Sequence, residues 1–311
     1  MSARFFTYDD FAPLLSWTEA VDALQHGHLR PRAQMSDLFV GPPTGTLLSR
    51  AAFIEGLGYG AKSVTIFDGN SRLGLPGVQG AMLVFDPGNG TLTAIIESKL
   101  VTEFKTAADS VLGATLLARP DSRHLLIAGA GAVARSLISA YPALFPGLTH
   151  ISIWARRTEQ AQSLAAEFAD SPVPVRAVTD LAETATQSDI IASATMAREP
   201  LIKGEWIRPG THVDLIGAFK HDMREADDQL IASGRLFVDS RESTVGHIGE
   251  IMIPIANGTI SEGNIRGDLY DLIAGSAAGR TSPDEITIFK NGGGAHLDLM
   301  TARYIASKSD E

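Results

Sequence analysis

Three cations in the first third of the chain have contexts that raise chemistry: Arg32 in RPRAQM, Lys62 in GYGAKSV and Lys105 in EFKTAADS. Lys62 stands among small residues just before an apolar stretch, where a solvated surface lysine would not need such neighbours. A lysine enclosed there loses hydration, which lowers its pKa and suits it to proton transfer. The plain alternative for each is a solvated surface charge. Their spacing in the chain does not by itself bring the three together.

A second chemistry is written further along. Gly129-Ala130-Gly131-Ala132-Val133-Ala134 follows the apolar run HLLIA and opens a helical pattern. The spacing fits G-x-G-x-x-G/A. The first glycine allows a tight turn, the second a close approach of backbone to a diphosphate, and the small third residue close packing of helix on strand. The helix N-terminus then offers oriented N–H groups to phosphate. Where a cofactor with a free ribose 2′-OH is met by Asp or Glu, this chain has Trp154, Ala155, Arg156, Arg157 and Thr158. Arginines bind a 2′-phosphate through charge-assisted hydrogen bonds, and an acid would repel one. NADPH is therefore expected over NADH.

These groups need elements to hold them. Apolar strands are predicted at 124–129, 150–156, 189–195, 211–217 and 235–240, separated by helical or loop segments. That alternation predicts an α/β fold with a Rossmann-type doubly wound parallel sheet over residues 119–291. Its carboxyl strand ends face the ligand crevice, so Ala194, Thr195, Met196 and Gly217 join the expected cofactor-binding set. Residues 1–118 mix strands with helices, among them a hairpin turned at DPGNG. A helix at 16–29 is predicted to open on a Ser16/Glu19 capping box, and one at 102–118 to be capped by Thr102. A final helix near GGGAHLDLMTARYIASK is expected to return to the first domain. A discontinuous α+β domain, 1–118 with 292–311, therefore accompanies the nucleotide-binding domain.

Composition limits the classes. A net charge of −10 argues against a general nucleic-acid binder, which needs a basic face. With no cysteine there are no disulfides, thiolates or Cys-bound zinc. No run of about 18 apolar residues is present and the first residues do not read as a signal peptide, so a cytoplasmic protein without membrane contact is expected. His26 and His28 alternate without further ligands, and His296 and Asp298 have no accompanying cluster at metal-ligand spacing. No metal is expected.

From about residue 30 to 305 the ordered set GYGAKSVTIFDGN, GLPGVQGAMLVFDPGNG, TEFKTAADSVLGATLLA, IAGAGAVARSLISAY, SDIIASATMAREPLI, PGTHVDLIGAF and GRTSPDEITIFKNGG resembles the ornithine cyclodeaminase/mu-crystallin family. The resemblance implies a Rossmann domain plus a domain built from both chain ends, through which two copies form a homodimer. It also carries roles onto residues. Arg32 and Lys62 match the family's substrate-site arginine and lysine. Lys105 stands where the motif usually has arginine, keeping the charge without the bidentate fork. Arg50, where relatives tend to be apolar, is a replacement anchor for the substrate carboxylate. Gly77 and Val78 stand where cyclodeaminase-like members often have Thr-His, leaving a smaller substrate wall.

Family cyclodeaminases place an aspartate just after the strand that here ends at Gly217-Ala218. This chain has Phe219. A phenyl ring accepts no proton and offers no carboxylate to the amines of ornithine; it suits the methylenes of a small ring. The resemblance then implies the imine-reductase branch. NADPH-dependent reduction of Δ1-pyrroline-2-carboxylate, or of Δ1-piperideine-2-carboxylate, would give L-proline or L-pipecolate. Arg32 and Lys105 would hold the carboxylate and Lys62 serve the imine nitrogen. The other readings are an ornithine cyclodeaminase, an alanine or N-alkyl-amino-acid dehydrogenase, and a crystallin-like protein that binds NADPH without turnover.

Overall fold

The computed structural model describes residues 3–42 and 44–308. It resolves into two compact units, one of the residues up to Ala108 with those from Gly294 onward, the other Asp109–Gly293.

The first unit is built on a six-stranded sheet: β1 (Arg4–Phe6), β2 (Gln34–Val40), β3 (Thr46–Ile54), β4 (Gly58–Ile66), β5 (Val78–Phe85) and β6 (Leu92–Glu97). Its order is β1-β6-β5-β4-β3-β2, with β1 parallel to β6 and every other pair antiparallel. The β5–β6 hairpin turns where the sequence predicts it. Asp86 accepts the N–H groups of Gly88 and Asn89, and Gly90 takes the left-handed conformation that the turn requires. Helix Ala295–Ser307 lies against β2, β3, β4 and β5 and against helix Trp17–His28. Close approach is possible because a side chain is missing at two points. A Cβ on Gly27 would fall 2.4 Å from the Met300 sulfur, and one on Gly60 would fall 2.9 Å from Leu299.

Two expected caps do not form. Ser16 is the N-cap of Trp17–His28 but caps with no side-chain hydrogen bond. Its partner Glu19 is engaged elsewhere, accepting from Tyr304 Oη and Lys308 Nζ. The second helix starts at Ser98, directly after β6, so Thr102 lies inside it rather than at its cap. That helix, Ser98–Leu117, also crosses the division between the units. The expected boundary at 118/119 therefore lies ten residues earlier, at 108/109. Packing explains it, since Gly113 sits so close to Phe289 that a Cβ would be 2.6 Å from its ring. The return boundary falls after Gly293, because Gly292 and Gly293 donate their N–H groups to Asp239.

The second unit is an α/β fold on an eight-stranded parallel sheet. Its strands are β7 (His124–Ala128), β8 (His150–Trp154), β9 (Val175–Val178), β10 (Ile190–Ser193), β11 (His212–Leu215), β12 (Arg235–Val238), β13 (Ile265–Gly267) and β14 (Thr287–Lys290). The order is β13-β12-β14-β11-β10-β7-β8-β9. It reverses between β7 and β10, the switch point at which doubly wound sheets bind ligands. Five of these strands are read from sequence, whereas β9, β13 and β14 are not. The latest in the chain, β14, inserts between β11 and β12. The central strands β7, β10, β11 and β14 are buried throughout, and Leu126, Ile191, Val213, Leu215, Leu236 and Ile288 lie in one continuous apolar core. Among the described residues no helix is long and apolar enough to cross a membrane.

Candidate active site

In the first unit the sheet register assembles a row of side chains. Asp37 on β2 opposes Arg50 on β3, which opposes Lys62 on β4, which opposes Met82 on β5. Directly opposed residues share a face. Arg50 turns its fork toward Asp37, with Nε 3.2 Å from Oδ1 and Nη2 2.5 Å from Oδ2. Lys62 points instead to helix Ala295–Ser307, where its Nζ donates to Asp298 Oδ1 at 2.5 Å. Lys105 Nζ, from helix Ser98–Leu117, stands 3.6 Å from the same oxygen. Arg50 Nη1 lies 3.9 Å from Asp298 Oδ2. Three cations, two of them expected from sequence to serve the substrate carboxylate and one to serve a proton, thus converge on one buried carboxylate.

Electrostatics follow from that arrangement. Lys62 is 5% exposed, and burial brings its pKa down from 10.5 to about 8, with Asp298 opposing the fall and the cations Lys105 and Arg50 adding to it. Burial works to raise Asp298, but Lys105, Lys62 and Arg50 outweigh it and hold the carboxyl at about 2. His296, two residues before Asp298 and edge-on to His28, is kept neutral first by burial, then by His28, Lys105 and Arg50, with Asp298 opposing. A lysine titrating near neutrality, in hydrogen-bond contact with a fixed anion, is a competent general acid.

The second unit carries a cleft of about 820 Å³ at the carboxyl ends of its central strands. Gly129, Ala130, Gly131, Trp154, Arg156, Arg157, Ala194, Thr195 and Met196 line it, all expected from sequence. Ala132, Val133, Thr158 and Gly217 do not; the first two lie within the first turn of helix Ala132–Leu144, and Thr158 begins helix Thr158–Glu167. Gly129 has φ of +123°, and a Cβ there would meet the Ala194 carbonyl at 2.5 Å. Gly131 caps helix Ala132–Leu144 and faces open space, with nothing within 4 Å of a Cβ placed on it. An open space at a helix N-terminus is what a diphosphate requires. Arg156 and Arg157, both exposed, add the positive charge that a 2′-phosphate requires. The residues present therefore fit a dinucleotide.

Gly217 has a different reason to be glycine, since a Cβ would fall 1.9 Å from the Thr195 carbonyl. The two strand ends are drawn together by Glu225. Its Oε1 accepts from Ser193 Oγ, Thr195 Oγ1 and Thr195 N, each at 2.7 Å, and its Oε2 from Gly217 N at 2.6 Å. Glu250 then fixes Glu225, accepting the N–H groups of Glu225 and Ala226. That carboxyl is raised to about 7 by burial and by Glu225.

The remaining expected residues are more open. Arg32 is exposed two residues before β2, and Gly77 is exposed just before β5. Phe219, which in a packed core would be covered, is 49% exposed. Asp222 pairs with Arg198 at 2.9 Å. Sequence reasoning missed Asp298, weighed only for metal-ligand spacing, along with Gln160, Arg198 and Glu199 of the cleft. The signal for Gln160 was present, since it lies one helical turn from Arg157. For Asp298 there was none in local spacing.

Comparison with known proteins agrees with this architecture. Residues 29–311 match the model of the ornithine cyclodeaminase/mu-crystallin family. The chain is 63% identical over 303 residues to the Δ1-pyrroline-2-carboxylate reductase of Paracoccus denitrificans (strain Pd 1222), covering 97% of this chain and 96% of that protein. The solved Δ1-pyrroline-2-carboxylate reductase of Thermococcus litoralis, in complex with NADH and L-proline, superposes with a TM-score of 0.92 at 30% identity, covering 98% of this chain and 97% of that one. An archaeal alanine dehydrogenase dimer with bound NAD gives a TM-score of 0.92 at 27% identity, covering 99% and 96%. With its two-unit architecture and a family match that runs from residue 29 onward, the chain belongs to the ornithine cyclodeaminase/mu-crystallin family.

Proposed function

We propose that this protein is an NAD(P)H-dependent oxidoreductase that reduces the cyclic imine Δ1-pyrroline-2-carboxylate to L-proline. NADPH is the preferred cofactor, and Δ1-piperideine-2-carboxylate, giving L-pipecolate, is a second substrate. The observation that carries the reading is the 63% identity, over 97% of the chain, with a reductase of that substrate. Phe219 supports it against cyclodeamination. Ornithine needs a carboxylate partner for its amines, and the strand end offers a half-exposed ring instead.

When bound, the nicotinamide supplies a hydride for C2 of the imine. The chain's own residues do the rest. Lys62 donates its proton to the imine nitrogen. Lys105 and Arg32 hold the substrate carboxylate, while Arg50, with Nε and Nη2 committed to Asp37, adds charge rather than a free fork. Phe219 gives the ring methylenes an apolar face. Gly131 and the helix behind it receive the diphosphate, and Arg156 with Arg157 the 2′-phosphate.

We also infer a homodimer. β2 is a sheet edge, and three consecutive residues on it, Leu38, Phe39 and Val40, are exposed. Such an edge is normally covered, and one structural relative is a dimer.

Purified protein given pyrroline-2-carboxylate with NADPH or NADH should consume cofactor and yield L-proline by chiral chromatography. No consumption above background with either cofactor would overturn the reading. Proline and ammonia from ornithine would reassign the protein as a cyclodeaminase.

A further inference from the structure

Asp298 is 1% exposed, and a buried carboxylate with three cations around it is an expensive arrangement to keep without a purpose. Its single charge is outnumbered, so it does more than neutralise one partner. We propose that Asp298 is a positioning residue that holds the Lys62 ammonium protonated and aimed, leaving Lys105 for the substrate carboxylate. The proposal rests on the reductase reading above and deepens it.

The argument comes from what faces Lys62 on each packed element. From β3 comes Arg50, itself paired with Asp37 of β2; from β5 comes the uncharged Met82. Helix Ser98–Leu117 contributes Lys105, and helix Ala295–Ser307 contributes Asp298 together with His296, which is neutral. Burial, Lys105 and Arg50 all push the proton off Lys62. Asp298 is the one group among these that retains it. Remove its charge and every remaining influence acts in the same direction. In turnover the Lys62 proton passes from Nζ to the ring nitrogen, Nζ becomes a neutral amine still anchored on Asp298 Oδ1, and solvent returns the proton. The 2.5 Å contact fixes Nζ in both protonation states.

Asp298→Asn keeps the shape and removes the charge. The quantity to measure is the ratio of wild-type to variant kcat/KM between pH 5.5 and 9, in which the substrate's own ionisation cancels. If the Lys62 midpoint falls from about 8 to about 6, a value known for buried lysines, the ratio is about 2 at pH 6 and about 50 at pH 8. A ratio that is constant across pH, or close to one throughout, would give Asp298 a purely structural role and overturn the proposal. Lys105→Met provides a second arm should the asparagine variant not fold. Loss of a repelling cation moves the alkaline limb upward, and an unmoved or lowered limb would refute the charge argument. A third arm needs no turnover. In protein labelled with ε-13C lysine, the Lys62 resonance, identified by its loss in Lys62→Arg, should titrate near 8 in the wild type and well below that in Asp298→Asn. If the wild type fails to reduce pyrroline-2-carboxylate, the reductase reading falls, while this titration still decides the role of Asp298.

Discussion

Arg156 and Arg157 are exposed cations on the wall of the dinucleotide cleft, and nothing in the fold of the sheet requires their charge. Replacing both by serine should leave stability within about 0.5 kcal/mol, the ordinary range for surface changes. The KM for NADPH should rise by about tenfold or more, with that for NADH nearly unchanged, because charge-assisted contacts to a 2′-phosphate are each worth roughly 1.5–3 kcal/mol. Steady-state kinetics with both cofactors checks it, and equal losses for the two would remove the arginines from cofactor choice. At this scale the sequence was legible wherever chemistry is local. The small residues around Lys62 and the missing acid after Trp154 can be read from neighbours alone. Asp298 could not be read so, because its three partners come from β3, β4 and helix Ser98–Leu117. A carboxylate next to a histidine, with no metal-ligand pattern around it, looks idle until the sheet register is known.

The strand–turn–helix around Gly129–Ala134 is the element proposed to receive the cofactor diphosphate, and its two glycines do different work. Gly129 serves the fold, with a positive φ against the Ala194 carbonyl, whereas Gly131 faces open space. Gly131→Ala should therefore fold normally, with a melting temperature within a few degrees of wild type. It should still weaken NADPH at least tenfold, since the added methyl occupies the approach of a diphosphate. Thermal melts beside a cofactor titration separate the two effects, and wild-type affinity would show that the diphosphate lies elsewhere. Elements were readable where pattern and partners coincide along the chain, as in the β5–β6 hairpin and the five apolar strands. They were misread where a distant residue competes. Ser16 and Glu19 have capping-box spacing, but Tyr304 and Lys308 take the glutamate. β14 does not stand out in the pattern because its run ends in Lys290, a buried lysine that donates to the Leu215 carbonyl.

For the molecule as a whole, an apolar feature still in need of a cover is the β2 edge. Phe39 is 63% exposed between two other exposed apolar residues. Phe39→Glu should place a charge in the interface between two copies and shift the protein from dimer to monomer in sedimentation velocity. A monomeric wild type, or a variant that remains dimeric, would move the interface elsewhere. The division into two units was visible from the change of texture after residue 118, but its position at 108/109 was not. A helix that serves both units has no break in its pattern to mark where one ends.

The Lys62–Asp298 pair closes over 236 residues of chain, and the entire nucleotide-binding unit lies within that interval. During synthesis, Lys62 and its strand are complete long before the carboxylate exists. The strands of the parallel sheet, β14 the last of them, precede helix Ala295–Ser307 in the chain. Contacts of such long range form late, since loop closure has to precede any gain from them. The residues lining the nucleotide cleft are thus all made before Asp298, which completes the pair with Lys62. A nascent or partly unfolded chain of this kind would hold cofactor before it could turn over substrate. Recovery of cofactor binding ahead of reductase activity on refolding would be the kinetic trace of a domain sewn together from two distant pieces of sequence.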